Sequence, residues 1–275
     1  MRQEQHQQHQ PPSQTPINII QISDIHLMAD ENGALLGVKT QESLQAVIDL
    51  IKHNETAINF VLLTGDLSQD GSYASYQRLA TLLQPLSVPV YYVPGNHDKE
   101  KEMARAYPHG AIVTDKHIKL PHWQIILLDS HKPGAVEGQL PTTQLDYLED
   151  CLQTCPDHAI VVFHHQPTPV HCLWLDKIGI KEPAAFWQII KKHAQVKIIL
   201  FGHIHQEFFH TVQGIPCYAV PSTCIQFKRK QDHFGLEYLT PGYRWLRLYD
   251  DGHFETGVKR VAHYIGVFEK DATGY

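Results

Sequence analysis

A chain of 275 residues with 43% hydrophobic side chains holds enough material for a buried core in one large domain or two small ones. Its net charge of −6 and pI near 6.4 argue against a general nucleic-acid binder, which would carry a basic face, and favour a small partner. No apolar run approaches membrane-spanning length and the opening MRQEQHQQHQPPSQTP lacks the apolar stretch of a secretory signal, so a cytoplasmic protein without membrane contact is expected.

Residues 1–16, Gln-rich and containing His6 and His9, read as a disordered tail, and residues 17–275 as a single domain. From residue 17 onward short β-branched runs alternate with amphipathic segments, the pattern of an α/β protein. Residues 17–22, 60–63, 88–93, 160–163 and 197–201 read as buried strands, and residues 41–53, 73–84, 142–153 and 183–193 as helices. Around residues 168–195, with Trp174 and Trp187, a cap or partner surface is expected. Beyond residue 205 shorter, antiparallel strands follow, with a hairpin over 243–260 turning at Asp250-Asp251-Gly252. With no internal repeat and no linker, two packed sheets flanked by helices is the economical architecture.

Each of the five strands runs into a polar cluster: Ser23-Asp24-Ile25-His26, Gly65-Asp66, Gly95-Asn96-His97-Asp98, His164-His165 and Gly202-His203-Ile204-His205. Ligands of α/β sheets gather outside the carboxyl ends of strands, so these clusters can converge. Histidine is also abundant: 20 residues, about three times the usual share, which calls for a chemical reason. Asp24 and His26, like His203 and His205, stand two apart, and on an extended chain both members of each pair point to one side and can grip one ion. Asp66 supplies a carboxylate able to bridge two ions, Asn96 a neutral oxygen and His164 a further imidazole. This N and O set without thiolate suits Mn, Fe, Co, Ni or Zn. Two divalent ions offset by Asp24 and Asp66 leave about +2, and a bridging hydroxide about +1, which a singly charged phosphodiester neutralises.

His97, beside Asn96 and followed by Asp98, reads as a general acid oriented by that carboxylate. His165 points away from His164 on an extended chain and is read as structural. Cys151, Cys155, Cys172, Cys217 and Cys224 are odd in number and lack paired CxxC spacing, so they are expected to be reduced thiols, with Cys151 and Cys155 on a packed helix face. The run Lys228-Arg229-Lys230 reads as a solvated loop.

The ordered blocks DxH, GD, GNHD, H and GHxH resemble the calcineurin-like metallophosphoesterase superfamily. Ala34-Leu35-Leu36-Gly37-Val38, Thr64-Gly65-Asp66-Leu67-Ser68-Gln69-Asp70, Trp174-Leu175-Asp176 and Pro221-Ser222-Thr223-Cys224 are similar to the bacterial class III 3′,5′-cyclic-AMP phosphodiesterases. The resemblance implies a four-layer α/β/β/α sandwich of two mixed sheets and two divalent or mixed-valence metal ions, with Fe, Mn or Zn foremost. One ion would be held by Asp24, His26, Asp66 and His205, the other by Asp66, Asn96, His164 and His203. It further implies a cyclic nucleotide contacted by His26, Asp66, Asn96, His97, His164 and His205, and a monomer or homodimer. Gln166 stands where relatives often place Pro or His. Two other readings stay open: hydrolysis of 2′,3′-cyclic nucleotides or other small phosphoesters, and a metal-poor binding scaffold.

Overall fold

Strands that are apolar at every position are buried on both faces, and the alternation along each one divides its side chains between two cores. In β1 (Ile17–Ile22), Ile19 faces one core and Ile20 and Ile22 another. The computed structural model describes residues 15–263, 266–267, 269 and 271–274, so the expected tail lies outside the described residues except for its last two positions.

After β1 come a small hairpin of β2 (Ala34–Leu35) and β3 (Val38–Lys39), α1 (Thr40–Asn54), β4 (Phe60–Thr64), α2 (Tyr73–Leu83), β5 (Val90–Val93), α3 (Glu100–Ala106) and β6 (Ile112–Val113). The chain continues through β7 (His117–Leu120), β8 (Trp123–Leu127), α4 (Thr142–Thr154), β9 (His158–Val162), α5 (Leu173–Asp176), α6 (Ala184–Lys192) and β10 (Val196–Phe201). It ends in β11 (Phe208–Val212), β12 (Ile215–Ala219), β13 (Gly242–Leu248) and β14 (Phe254–Arg260). One six-stranded sheet has the order β14-β13-β1-β4-β5-β6, the other β11-β12-β10-β9-β8-β7. Each is mixed: β1, β4, β5 and β6 run parallel in the first, and β8, β9, β10 and β12 in the second.

Three cores make four layers. Between the sheets lie Ile19, Phe60, Leu62, Trp123, Ile160, Val162, Ile198 and Leu200. Outside the first sheet, α1 buries Leu44, Val47, Ile48 and Ile51 at helical spacing, each burial contributing about 1.5–3 kcal/mol. Outside the second, α4 and α6 bring Leu148, Leu152, Phe186 and Ile190 against Val161, Phe163 and Phe201. The α/β/β/α expectation is therefore met. Within the segment read as a cap, Trp187 is buried in this outer core and its Nε1 donates to Pro167 O at 3.0 Å.

The predicted strands and helices are all present, and the 243–260 hairpin pairs Leu248 with Phe254. β8, whose five residues are all buried, is not among the predicted strands because Gln124 interrupts its apolar run; Gln124 is satisfied there by Cys155 O and Asp157 O. Gln21 of β1 joins the sheets by donating to Thr64 Oγ1 and to Phe201 O, just beneath the strand ends that carry the polar clusters.

Candidate metal centre

Four polar side chains stand two residues beyond a strand: Asp24 after β1, Asp66 after β4, His164 after β9 and His203 after β10. Because these strands are parallel neighbours within their sheets, their ends lie level and their side chains meet. Backbone contacts bind the loops across the sheets. Asp24 Oδ1 accepts from His203 N at 3.0 Å, Asp24 N donates to Gly65 O, and Gly202 N donates to His164 O. A side chain on Gly202 would collide with Ser23, Thr64 O and Asp24, which is why the loop needs glycine there.

Asp24 and His26, and likewise His203 and His205, do not point to one side of an extended chain as expected. All four, with Asp66, adopt positive φ between 48° and 67°, a left-handed conformation costing roughly 1–2 kcal/mol per residue. The chain coils rather than extends, and convergence follows from that coil. Strain of this kind concentrates at functional sites.

Two groups of donors result. Ligand atoms of Asp24, His26, Asp66 and His205 lie within 4.8 Å of one another, all buried. In the second group His164 Nε2 lies 3.2 Å from Asn96 Oδ1, 3.2 Å from His203 Nδ1 and 3.3 Å from Asp66 Oδ2. Asp66 Oδ2 is also 3.8 Å from His26 Nε2, so this carboxylate stands between the groups.

Hydrogen bonds on the far side of each ring decide which nitrogen carries a lone pair inward. His164 Nδ1 is 2.7 Å from Thr64 O and His205 Nδ1 is 2.9 Å from Ile225 O; a carbonyl only accepts, so both Nδ1 atoms are protonated and it is Nε2 of each ring that is turned toward the other donors. His26 Nδ1 is held in the same way by Gln69 Oε1 at 2.7 Å. His205 stacks on Phe227 with ring centroids 4.0 Å apart. Gln69 and the two carbonyls were not foreseen, since only the folded chain brings them behind the rings.

The electrostatics favour a cation. Burial alone would raise Asp24 and Asp66, yet the facing imidazoles His205 and His164 hold both carboxyls below the usual range. Burial pushes His26 down to about 3 and His203 well below its ordinary value, so both are neutral donors. Burial opposes charge on His164 too, but Asp66 lifts it to about 9: positive charge is drawn to this point. Asp24 Oδ2, Asp66 Oδ2 and His203 Nε2 are buried without a hydrogen-bond partner, an arrangement costing several kcal/mol in an uncharged setting. Metal ions in the two groups would take up both carboxylate oxygens. The residues fit two transition-metal ions in an N and O environment.

Residues 17–207 match the profile of the calcineurin-like phosphoesterases. The chain belongs to that family. Over 266 residues the phosphoesterase is 39% identical to the 3′,5′-cyclic adenosine monophosphate phosphodiesterase CpdA of Pseudomonas aeruginosa, covering 96% of this chain and 97% of the relative. With the CpdA of Vibrio vulnificus it shares 41% identity over 265 residues, covering 96% and 97%. A crystal structure of a dimetal phosphatase from Danio rerio superposes with a TM-score of 0.62 at 14% identity, covering 90% of this chain and 99% of the other, a likeness of fold alone.

The remaining site residues of the phosphoesterase fall into place around the two groups. His97 is half-buried, its ring 5.0 Å from that of His26, and its N–H donates to Asp66 Oδ1. The expected hold of Asp98 on His97 is corrected: the Asp98 carboxylate accepts from the N–H groups of Gly95, Leu67 and Ser68 and from the Tyr76 hydroxyl, at 2.8–3.1 Å. It clamps the Asp66 and Asn96 loops together. Burial and the nearby Asp66 charge raise this carboxyl to about 7. His165 lies beside His164 rather than away from it, with ring centroids 4.8 Å apart. Its Nε2 donates to Val136 O and its Nδ1 accepts from Ser130 Oγ, which leaves no lone pair for a metal, in keeping with a structural role. The five cysteines are buried and free of disulfides, and the 228–230 run is exposed.

Proposed function

We propose that this phosphoesterase hydrolyses 3′,5′-cyclic AMP to 5′-AMP, with water as the nucleophile and the ribose 3′-oxygen as the leaving group. The observation that carries the reading is the two adjoining sets of donors with the Asp66 carboxylate between them, in a chain 39–41% identical over almost its whole length to enzymes named for that reaction. Asp24, His26, Asp66 and His205 would hold one ion, and Asp66, Asn96, His164 and His203 the other. Bound there, Fe, Mn or Zn supplies positive charge that polarises the phosphoryl oxygens and makes water nucleophilic at neutral pH.

The chain's own residues do the rest. Strand ends from both sheets hold the donors rigidly, so little reorganisation is needed as the phosphoryl group reacts. Asn96 and His97 are half-buried while the donor imidazoles are buried, so a phosphodiester would approach the centre from the side of Asn96 and His97. His97 protonates the departing 3′-oxygen. Residues 17–275 act as one catalytic unit, because ligands come from both sheets. A cytosolic setting is supported by the five buried thiols.

Purified protein loaded with Mn or Fe should convert cyclic AMP to 5′-AMP, followed by chromatography, with about two metal equivalents by elemental analysis. Negligible turnover of cyclic AMP beside rapid cleavage of 2′,3′-cyclic nucleotides would overturn the substrate assignment. Absence of both metal and activity would favour a scaffold. His97→Ala should lower kcat by roughly 10²–10⁴ while metal content stays near that of the parent; undiminished turnover would remove His97 as the acid.

A further inference from the structure

Beside the metal centre is a cavity of about 330 Å³, walled by Val93, Pro94, Leu127, Leu128 and Tyr147, with Lys116 and Asp129 at its polar side. A second lobe of about 210 Å³ shares Pro94, Lys116 and Asp129 with it. Volumes of this size fall within or near the range of small-ligand pockets, about 300–1,000 Å³.

Strand register places the cavity level with the ligands and one strand away in both sheets. Val93 pairs with Thr64, the residue before Gly65-Asp66, and Leu127 pairs with Val162, the residue before Phe163-His164. Adjacent strands stand about 4.8 Å apart, so Val93 and Leu127, which wall the cavity, lie one strand spacing from the residues that lead into Gly65-Asp66 and Phe163-His164. Asp129 stands two residues beyond β8, the position on this strand that Asp24, Asp66, His164 and His203 hold on theirs. Yet it belongs to neither donor group, and together with Lys116 it lines a mostly apolar cavity.

Both charged groups keep hydrogen-bonding capacity. Lys116 Nζ spends one of its three hydrogens on Tyr92 O at 2.7 Å and lies 3.7 Å from the centroid of the Tyr92 ring. Asp129 Oδ1 accepts from His131 N at 2.8 Å, and its backbone N–H is held by Gln144 Oε1 at 2.8 Å, so the carboxylate is fixed with Oδ2 to spare. A donor and an acceptor lining one cavity with apolar walls match the edge of a nucleobase, where an exocyclic amine adjoins a ring acceptor or where a carbonyl adjoins N–H groups.

Resting on the cyclic-nucleotide reading above, we infer that this cavity holds the substrate's nucleobase, with Lys116 donating to and Asp129 accepting from its polar edge and Tyr147, Leu128 and Pro94 covering its faces. The ribose then bridges from this cavity to the donor groups. Both residues determine specificity and neither touches the reacting phosphorus.

The test compares Lys116→Met and Asp129→Asn with the parent, each metal-loaded, on cyclic AMP, cyclic GMP and the base-free diester bis(4-nitrophenyl) phosphate. The ratio of kcat/KM for cyclic AMP to that for the base-free diester should fall at least tenfold in both variants, mainly through KM, and the preference between the two purines should shift. Parallel loss on all substrates, or an unchanged ratio, overturns the assignment. Calorimetric binding of AMP and of ribose 5-phosphate gives a second readout: the variants should lose at least tenfold of any advantage AMP has over ribose 5-phosphate. If the parent fails to hydrolyse cyclic AMP, the proposed reaction falls. The base site then stands if AMP outbinds ribose 5-phosphate through Lys116 and Asp129, and falls if it does not.

Discussion

At the scale of single residues, the site depends on groups that touch no substrate. Gln69 fixes the tautomer of His26, and partners of this kind are commonly worth 10–100-fold in metal affinity. Gln69→Ala should therefore weaken one of the two ions by about that factor and spare the other, read as loss of one equivalent under chelator competition. Equal retention of both would show that packing alone orients His26. Lys116 offers a pH test away from the ligands. Burial lowers its pKa to about 8 from an unfolded value of 10.5, against the pull of Asp129 and Asp115. Between those values the unfolded chain binds more protons than the folded one, so this group makes folding more favourable as pH rises, and its penalty is complete below pH 8. The stability difference between Lys116→Met and the parent should thus shift against the variant as pH climbs from 8 to 10.5, by urea unfolding. A flat difference would refute the shift.

At the scale of elements, the loops after β4 and β5 are one structure held by Asp98. Its carboxylate serves three backbone N–H groups and a tyrosine hydroxyl, so Asp98→Ala should strip partners from buried donors and cost about 3 kcal/mol or more. Reduced metal content should accompany the loss, because Asp66 and Asn96 ride on those loops. His97→Ala should leave stability within about 0.5 kcal/mol, as expected for a half-buried group away from the core. Matching stability losses in the two variants would restore the view that Asp98 acts through His97. Adjacency in sequence cannot separate these cases, since it does not say to which side of a coiled loop each side chain turns.

At the scale of the whole molecule, the two sheets meet through the inter-sheet core and again at the donor groups, where Asp24 and Asp66 follow strands of one sheet and His164 and His203 strands of the other. Metal binding to the folded chain should therefore stabilise the assembly of both sheets. At free metal 100-fold above Kd the linkage is worth about 2.7 kcal/mol per site, so chelation should lower Tm by roughly 5–10 °C. An unmoved Tm would mean the sheets do not depend on the centre. No helix among the described residues is long and apolar enough to cross a membrane.

The five ligand-bearing strands could be read from the chain because strands buried on both faces are uniformly apolar, and the residue types of the donor set could be read because metals select N and O ligands by chemistry. Tertiary structure decided how they converge: through left-handed turns at Asp24, His26, Asp66, His203 and His205, whose conformations are held by bonds to distant backbone. It also decided that Asp98 clamps loops, that Gln69 stands behind His26, and that β8 delivers Asp129 beside the centre. Each of these depends on which strands are neighbours, and that is set by packing between segments far apart in the chain.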